Sequence, residues 1–148
     1  MKSALISFVL VFSSSSSFAG DLTSWVGTYR SDCPQIQETI EITYQDGALQ
    51  LGNIVTFSNI NEGKQVSKMN TETGYIRSEI VTEFTDDDIL TREESSVNYL
   101  MWVIPTERFK KGEILSLNAD GTLEYVLLTG EDRGDEGRDE TYCTLTRI

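Results

Sequence analysis

Gln35-Ile36-Gln37-Glu38-Thr39-Ile40-Glu41-Ile42-Thr43-Tyr44-Gln45-Asp46-Gly47-Ala48-Leu49-Gln50-Leu51 is the stretch on which the fold turns. Side chains alternate across a strand, so residues two apart share a face. Ile36, Ile40, Ile42 and Tyr44 then fall on one side, and Gln37, Thr39, Glu41 and Thr43 on the other. This is the pattern of a half-buried strand. Asp46-Gly47 follows at once, and Asp-Gly supplies the positive φ angles of a tight hairpin turn. Ala48 to Leu51 and Ile54 to Phe57 form the return.

The same grammar repeats along the chain. Trp25 to Arg30 reads as a first strand. Lys64 to Thr71 is polar and reads as an edge strand. Tyr75 to Phe84 places Ile76, Ile80 and Phe84 on one face and Tyr75, Arg77, Glu79, Val81 and Glu83 on the other. After the acidic turn Asp86-Asp87-Asp88 come Ile89 to Ser96 and then Tyr99-Leu100-Met101-Trp102-Val103-Ile104, which is apolar on both faces and is read as a strand. Ile114 to Leu117 and Thr122 to Thr129 flank a second hairpin turn, Asn118-Ala119-Asp120-Gly121. Thr141 to Arg147 closes the chain after a charged, glycine-rich loop at 130–140. No apolar repeat of helical period is sustained over three turns. Short strands at regular spacing joined by short turns predict an all-β domain, a single antiparallel up-and-down β-barrel of about 8–10 strands.

Lys2, an apolar run from Ala4 to Phe12, a serine tract and Phe18-Ala19-Gly20 have the layout of an export signal with cleavage after Ala19. The apolar run is too short to span a bilayer. Residues 1–19 are therefore expected to be a cleaved signal peptide and residues 20–148 one domain, with a periplasmic or secreted destination and no membrane anchor. Loss of Lys2 takes the formal charge from −12 to −13. So acidic a chain repels nucleic acid and anionic lipid, and favours cationic partners. Cys33 and Cys143 are the two cysteines. An even count in an exported chain predicts a disulfide. It would require the first and last strands to be neighbours, as they are in a meander closed into a barrel.

The segment Trp25-Val26-Gly27-Thr28-Tyr29, with Ile40-x-Ile42 and Asp46-Gly47-Ala48-Leu49 after it, resembles the opening of lipocalin-like barrels of the calycin superfamily. That family begins its first strand with Gly-x-Trp; here Gly27-Thr28-Tyr29 occupies the motif, with tyrosine in place of tryptophan. The resemblance implies that Arg147, near the end of the chain, packs over the Tyr29 ring as a cation–π contact. It also implies a cup that holds a small apolar molecule. No Thr-Asp-Tyr segment occurs between the later strands, and no helix follows the last one.

The absence of histidine removes Ser-His-Asp and Cys-His catalysis and histidine-containing zinc sites. No phosphate-binding glycine loop occurs. Carboxylates remain: Glu79 with Glu83 on one strand face, and Glu93 with Glu94. Among 24 acidic residues such proximity is expected by chance, so no catalytic role is assigned and no enzymatic activity is expected. Asp86-Asp87-Asp88 and the cluster Asp132, Asp135 and Glu136 offer oxygens to calcium but not at EF-hand spacing. No metal or cofactor is expected.

Tyr99, Met101 and Trp102 are the candidate lining of a ligand cup, and Arg77 and Arg92 are candidates to meet an anionic headgroup if they point inward. The first functional expectation is thus a monomeric, non-enzymatic carrier of a small, largely apolar ligand. The second is an acidic inhibitor or immunity-type binder of a basic enzyme such as a lysozyme, acting through loops 86–88 and 130–140, with its charge steering association.

Overall fold

The computed structural model describes residues 21–131 and 139–148. The expected signal at 1–19 and most of the loop at 130–140, including Asp132, Asp135 and Glu136, lie outside the described residues. The described chain is all-β apart from a single 3-10 turn, Leu22–Trp25. Ten strands follow: β1 Gly27–Ser31, β2 Thr39–Gln45, β3 Ala48–Leu51, β4 Val55–Phe57, β5 Gln65–Asn70, β6 Gly74–Phe84, β7 Ile89–Leu100, β8 Ile104–Leu117, β9 Leu123–Glu131 and β10 Asp139–Arg147. They form one antiparallel sheet in the order β4-β3-β2-β1-β10-β9-β8-β7-β6-β5.

The first and last strands are neighbours. Tyr29 pairs with Arg147 and Ser31 with Leu145. Cys33, just beyond β1, is bonded to Cys143 on β10 with their Cα atoms 5.2 Å apart. Asp32 reinforces the join, since its N–H donates to the Thr144 carbonyl and its carboxylate accepts from the Thr144 N–H.

The expected ring of strands does not close. β4 and β5 are the two ends of the sheet and are not paired with each other. The reason lies in the connection between them. Asn59, Asn61 and Gly63 all have positive φ, so the chain cannot run extended from Phe57 to Gln65. β5 then joins β6 only from Ile80 toward Gly74. Asn61 stands in for the missing pairing at the other end of β6. Its N–H donates to the Thr82 carbonyl, and its side-chain amide both accepts from the Phe84 N–H (2.9 Å) and donates to the Phe84 carbonyl (3.3 Å).

Alternation decides what is buried. Ile40 and Ile42 of β2, Leu49 and Leu51 of β3, and Val55 and Phe57 of β4 are all buried. A cross-strand rung of Phe84, Leu90, Leu115, Tyr125 and Cys143 runs over β6 to β10, every member buried. Trp25 belongs to this core, not to the first strand. Asp21 caps the 3-10 turn by accepting from the Thr23 N–H, and the turn swings the Trp25 indole inward, edge-on to Phe84 at 5.5 Å. β5 is exposed at every position, as its polarity predicts for an edge strand.

Candidate binding surface

β6, β7, β8 and β9 are long, and their inward faces change character along their length. Two residues beyond the buried rung, the next one reads Thr82, Arg92, Glu113 and Leu127. Because it is even-spaced from Leu90 and Leu115, this rung faces the core side. Arg92 thus points inward, as the headgroup role required, but its partners come from the protein. One guanidinium nitrogen lies 2.8 Å from the Glu113 carboxylate and another 2.9 Å from Glu94. The Lys111 ammonium lies 2.8 Å from the other Glu113 oxygen, to which the Tyr125 hydroxyl also donates at 3.4 Å. Glu113 is fully buried. Burial pushes the Tyr125 hydroxyl well above the usual phenol range, with the neighbouring Glu113 charge and its hydrogen bond adding to the effect. This group of charges forms a polar ceiling over the apolar core.

Arg77 faces the other way. It is exposed and lies 2.8 Å from Glu79, which Lys64 also contacts at 2.8 Å. The Lys64 hydrogen bond, then the Lys64 and Arg77 charges, hold the Glu79 carboxyl below its ordinary value. Above Glu79, an open cleft of about 350 Å³ lies between Lys64, Val81, Glu93, Lys110 and Leu128, with Gly112 as its floor. A second open cleft, about 510 Å³, lies over the polar face of β2 between Thr28, Thr39, Glu41 and Gln50. Glu93 and Glu94 are adjacent in β7 and so point to opposite faces.

The apolar run at Tyr99–Ile104 is not one strand but the end of β7, a turn and the start of β8. β7 ends at Leu100, and the chain reverses through Met101 and Trp102, with φ of 50° and 70°. The Val103 N–H closes the turn onto the Leu100 carbonyl, and the Met101 N–H donates to the Thr73 carbonyl at 2.7 Å. Positive φ is costly for bulky side chains and turns of this hand ordinarily carry Asn-Gly. That preference is why the reversal was not legible from composition. Met101 is 67% exposed, Trp102 51% and Val103 75%, with Leu100 and Ile104 also exposed. Tyr99, Met101 and Trp102 therefore sit at the far end of a hairpin and not around an internal cup.

The tip is ordered by its own contacts. Tyr75 stacks on Tyr99 with centroids 4.7 Å apart, and Trp102 leans toward Tyr75 at 6.1 Å. Lys68 of the edge strand places its ammonium 4.0 Å over Tyr75 and 5.7 Å from the Trp102 ring. The two hairpins approach so closely that a Cβ at Gly74 would fall 1.8 Å from the Tyr99 carbonyl oxygen.

The opposite end of β6–β9 is acidic. Asp86, Asp87 and Asp88 are exposed in the β6–β7 turn, and the Leu117 N–H donates to the Asp88 carbonyl, which brings the Asp120 turn alongside. Asp120 is held below the usual carboxylate range by hydrogen bonds from the Thr122 hydroxyl and N–H. Among the described residues no group of three or more carboxylates or thiols converges as a cation site.

At the closed edge of the core, the contact implied by the family resemblance is found. The Arg147 guanidinium carbon lies 5.5 Å over the Tyr29 ring, and the Tyr29 hydroxyl donates to the Trp25 carbonyl at 2.9 Å. Arg147 also donates to the carbonyls of Ser24 and Val26. A Cβ on Gly27 would stand 3.0 Å from the Arg147 Nε, so glycine leaves room for this packing. Comparison with known proteins gives no matching family model, no matching curated relative and no matching solved structure.

Proposed function

We propose that this chain is an exported, non-catalytic binding protein built on an opened lipocalin-like barrel, and that it acts on a basic protein partner. The Cys33–Cys143 bond favours an oxidising compartment such as the periplasm or the medium. The Gly27, Tyr29 and Arg147 packing supports the lipocalin-like reading of the sheet.

The observation that carries the choice of partner is the Glu113 cluster. An apolar ligand entering over the core would have to cover Arg92, Glu113 and Lys111 without replacing their water, and burying charge in that way is costly. The aromatic side chains that would line a cup stand at the exposed hairpin tip. A carrier of small apolar molecules is thus the weaker of the two expectations. The binder reading draws on features that are exposed: Asp86, Asp87 and Asp88 beside Asp120, on a chain of net charge −12. Complementary charge raises association rates with a cationic protein and makes them salt-dependent.

Titration against a cationic enzyme, with a lysozyme as the first probe, tests the reading. Binding should weaken steeply with added salt and fall about tenfold or more on combining Asp86→Lys with Asp87→Lys. No association at low salt, or association indifferent to the charge reversal, rules the reading out.

A further inference from the structure

We propose that Asp46-Gly47, at the turn between β2 and β3, is a site of covalent self-modification, where the aspartyl link converts through a cyclic succinimide into an isoaspartyl link. The inference does not rest on the binder reading, because it involves no partner.

The sequence holds two Asp-Gly steps, Asp46-Gly47 and Asp120-Gly121. Both lie in hairpin turns, and all four residues are exposed. Both glycines have positive φ, and a Cβ built on either would meet nothing within 4 Å. Sequence and exposure therefore treat the two steps alike. Hydrogen bonding separates them.

The reaction needs two free groups: the glycine nitrogen, which attacks, and the aspartyl carboxyl, which is attacked. At Asp120 both are engaged. The Gly121 N–H donates to the Asn118 carbonyl at 2.9 Å. The Asp120 carboxylate accepts from the Thr122 N–H at 2.9 Å and from the Thr122 hydroxyl at 2.6 Å. Those bonds also hold the Asp120 carboxyl below the usual range, which favours the ionised form, a poor electrophile. At Asp46 neither group is engaged. Gln45 pairs with Ala48 across the turn, so the two residues between them add no bond to the ladder. Among the described residues the Gly47 N–H has no acceptor, and the Asp46 carboxylate has no hydrogen bond or ion pair.

The chemistry balances within the chain and one water. The Gly47 nitrogen gives up its proton and bonds to the Asp46 Cγ. The bond from Cγ to one carboxyl oxygen breaks, and water leaves. The five-membered ring then takes up a water. Addition at Cγ breaks the new bond and restores aspartate. Addition at the Asp46 main-chain carbonyl breaks the original peptide bond, and the chain then runs through the side-chain carbon. Mass is unchanged, but the backbone is one methylene longer between Gln45 and Ala48. Ala48 precedes the buried Leu49 of β3, so the Gln45–Ala48 pair should loosen first.

The second Asp-Gly step is the internal control. Purified, disulfide-bonded protein is held for several weeks in mildly acidic buffer, and a reduced sample is held alongside in guanidinium chloride. After reduction and alkylation, trypsin places the two steps in separate peptides, 31–64 and 112–133. Electron-transfer fragmentation marks isoaspartate by cleavage of its Cα–Cβ bond. In the folded protein isoaspartate should accumulate at position 46 about tenfold faster than at 120, the ratio that one ordinary hydrogen bond commands. In the denatured protein the two rates should converge, since glycine follows both. A folded-state rate at 120 equal to or above that at 46 overturns the proposal. So does a folded protein without isoaspartate at 46 while the denatured sample forms it there.

Discussion

The side-chain amide of Asn61 brackets the backbone of Phe84, accepting from its N–H and donating to its carbonyl, at the point where the sheet fails to close. One asparagine thereby replaces a strand neighbour for a residue whose ring is buried against Trp25. Asn61→Ala removes both bonds and leaves a partly buried N–H without a partner. The expected loss is about 1–3 kcal/mol, read as a lower urea midpoint. Amide exchange at Phe84 should accelerate in the variant, and an unchanged rate there would contradict the bracket.

Glu113 and Arg92 predict an asymmetry. Glu113→Ala leaves Arg92 with Glu94 as its remaining carboxylate partner and, among the described residues, takes from the Lys111 ammonium its one carboxylate partner, and should cost about 1–3 kcal/mol. Lys111 contributes less to that cost, since its longer stem and partial exposure let the ammonium turn to solvent. Replacing both partners, Arg92→Met with Glu113→Leu, should recover most of the loss. Chemical denaturation of the single and double variants gives the comparison, and equal losses would rule out the ion-pair account.

Tyr125 sets a limit at high pH. Its hydroxyl is raised in the folded state by burial and by Glu113. Below about pH 10 the phenol is protonated both folded and unfolded, so its contribution to stability is complete. Above that pH the unfolded chain releases a proton that the folded chain retains, and stability falls as pH rises. Urea midpoints should be flat through neutrality with respect to this group and drop above about pH 10. Tyr125→Phe should flatten the alkaline limb, and an identical limb in both proteins would refute the assignment.

Gly27 and Arg147 are coupled. Gly27→Ala puts a methyl group 3.0 Å from the Arg147 Nε and should cost roughly 1 kcal/mol or more by displacing the guanidinium. Most of that loss should vanish in an Arg147→Ala background, a non-additivity expected of residues in contact. Thermal midpoints of the four-protein cycle measure it.

The disulfide spans 110 residues. Chain-entropy reasoning assigns such a loop an ideal value of about 4.7 kcal/mol, and loss of native disulfides commonly costs about 2–5 kcal/mol. Urea unfolding with and without reductant should show a shift of that size. A reduced protein of equal stability would mean that the β1–β10 pairing needs no covalent fastening.

Local chemistry made much of this architecture readable. Within the Gln35–Leu51 stretch, Thr39–Gln45 became β2 and Ala48–Leu51 β3 around the Asp46-Gly47 turn, because alternation and positive-φ turn residues act within a few positions of each other, whereas residues 35–38, read as part of the same strand, lie in the turn before it. The pairing of first and last strands was legible from two cysteines. The site was harder. Arg92 was readable as a candidate, but its partner Glu113 looks in sequence like any other solvated carboxylate; only the register of β7 on β8 brings them opposite. Tyr99 to Ile104 misled for a related reason. A hydrophobic run predicts burial when its neighbours can cover it, and here the hairpin extends past the strands that would.

From its residues alone, this protein is an antiparallel β chain whose two ends meet at a sulfur bridge, since side-chain alternation, turn geometry and thiol count are properties of short segments. Where the sheet stops, which charges it buries and which apolar residues it leaves in solvent were decided by tertiary structure. Those outcomes depend on how far each strand runs beside its neighbour, and that length is set by packing across the whole sheet.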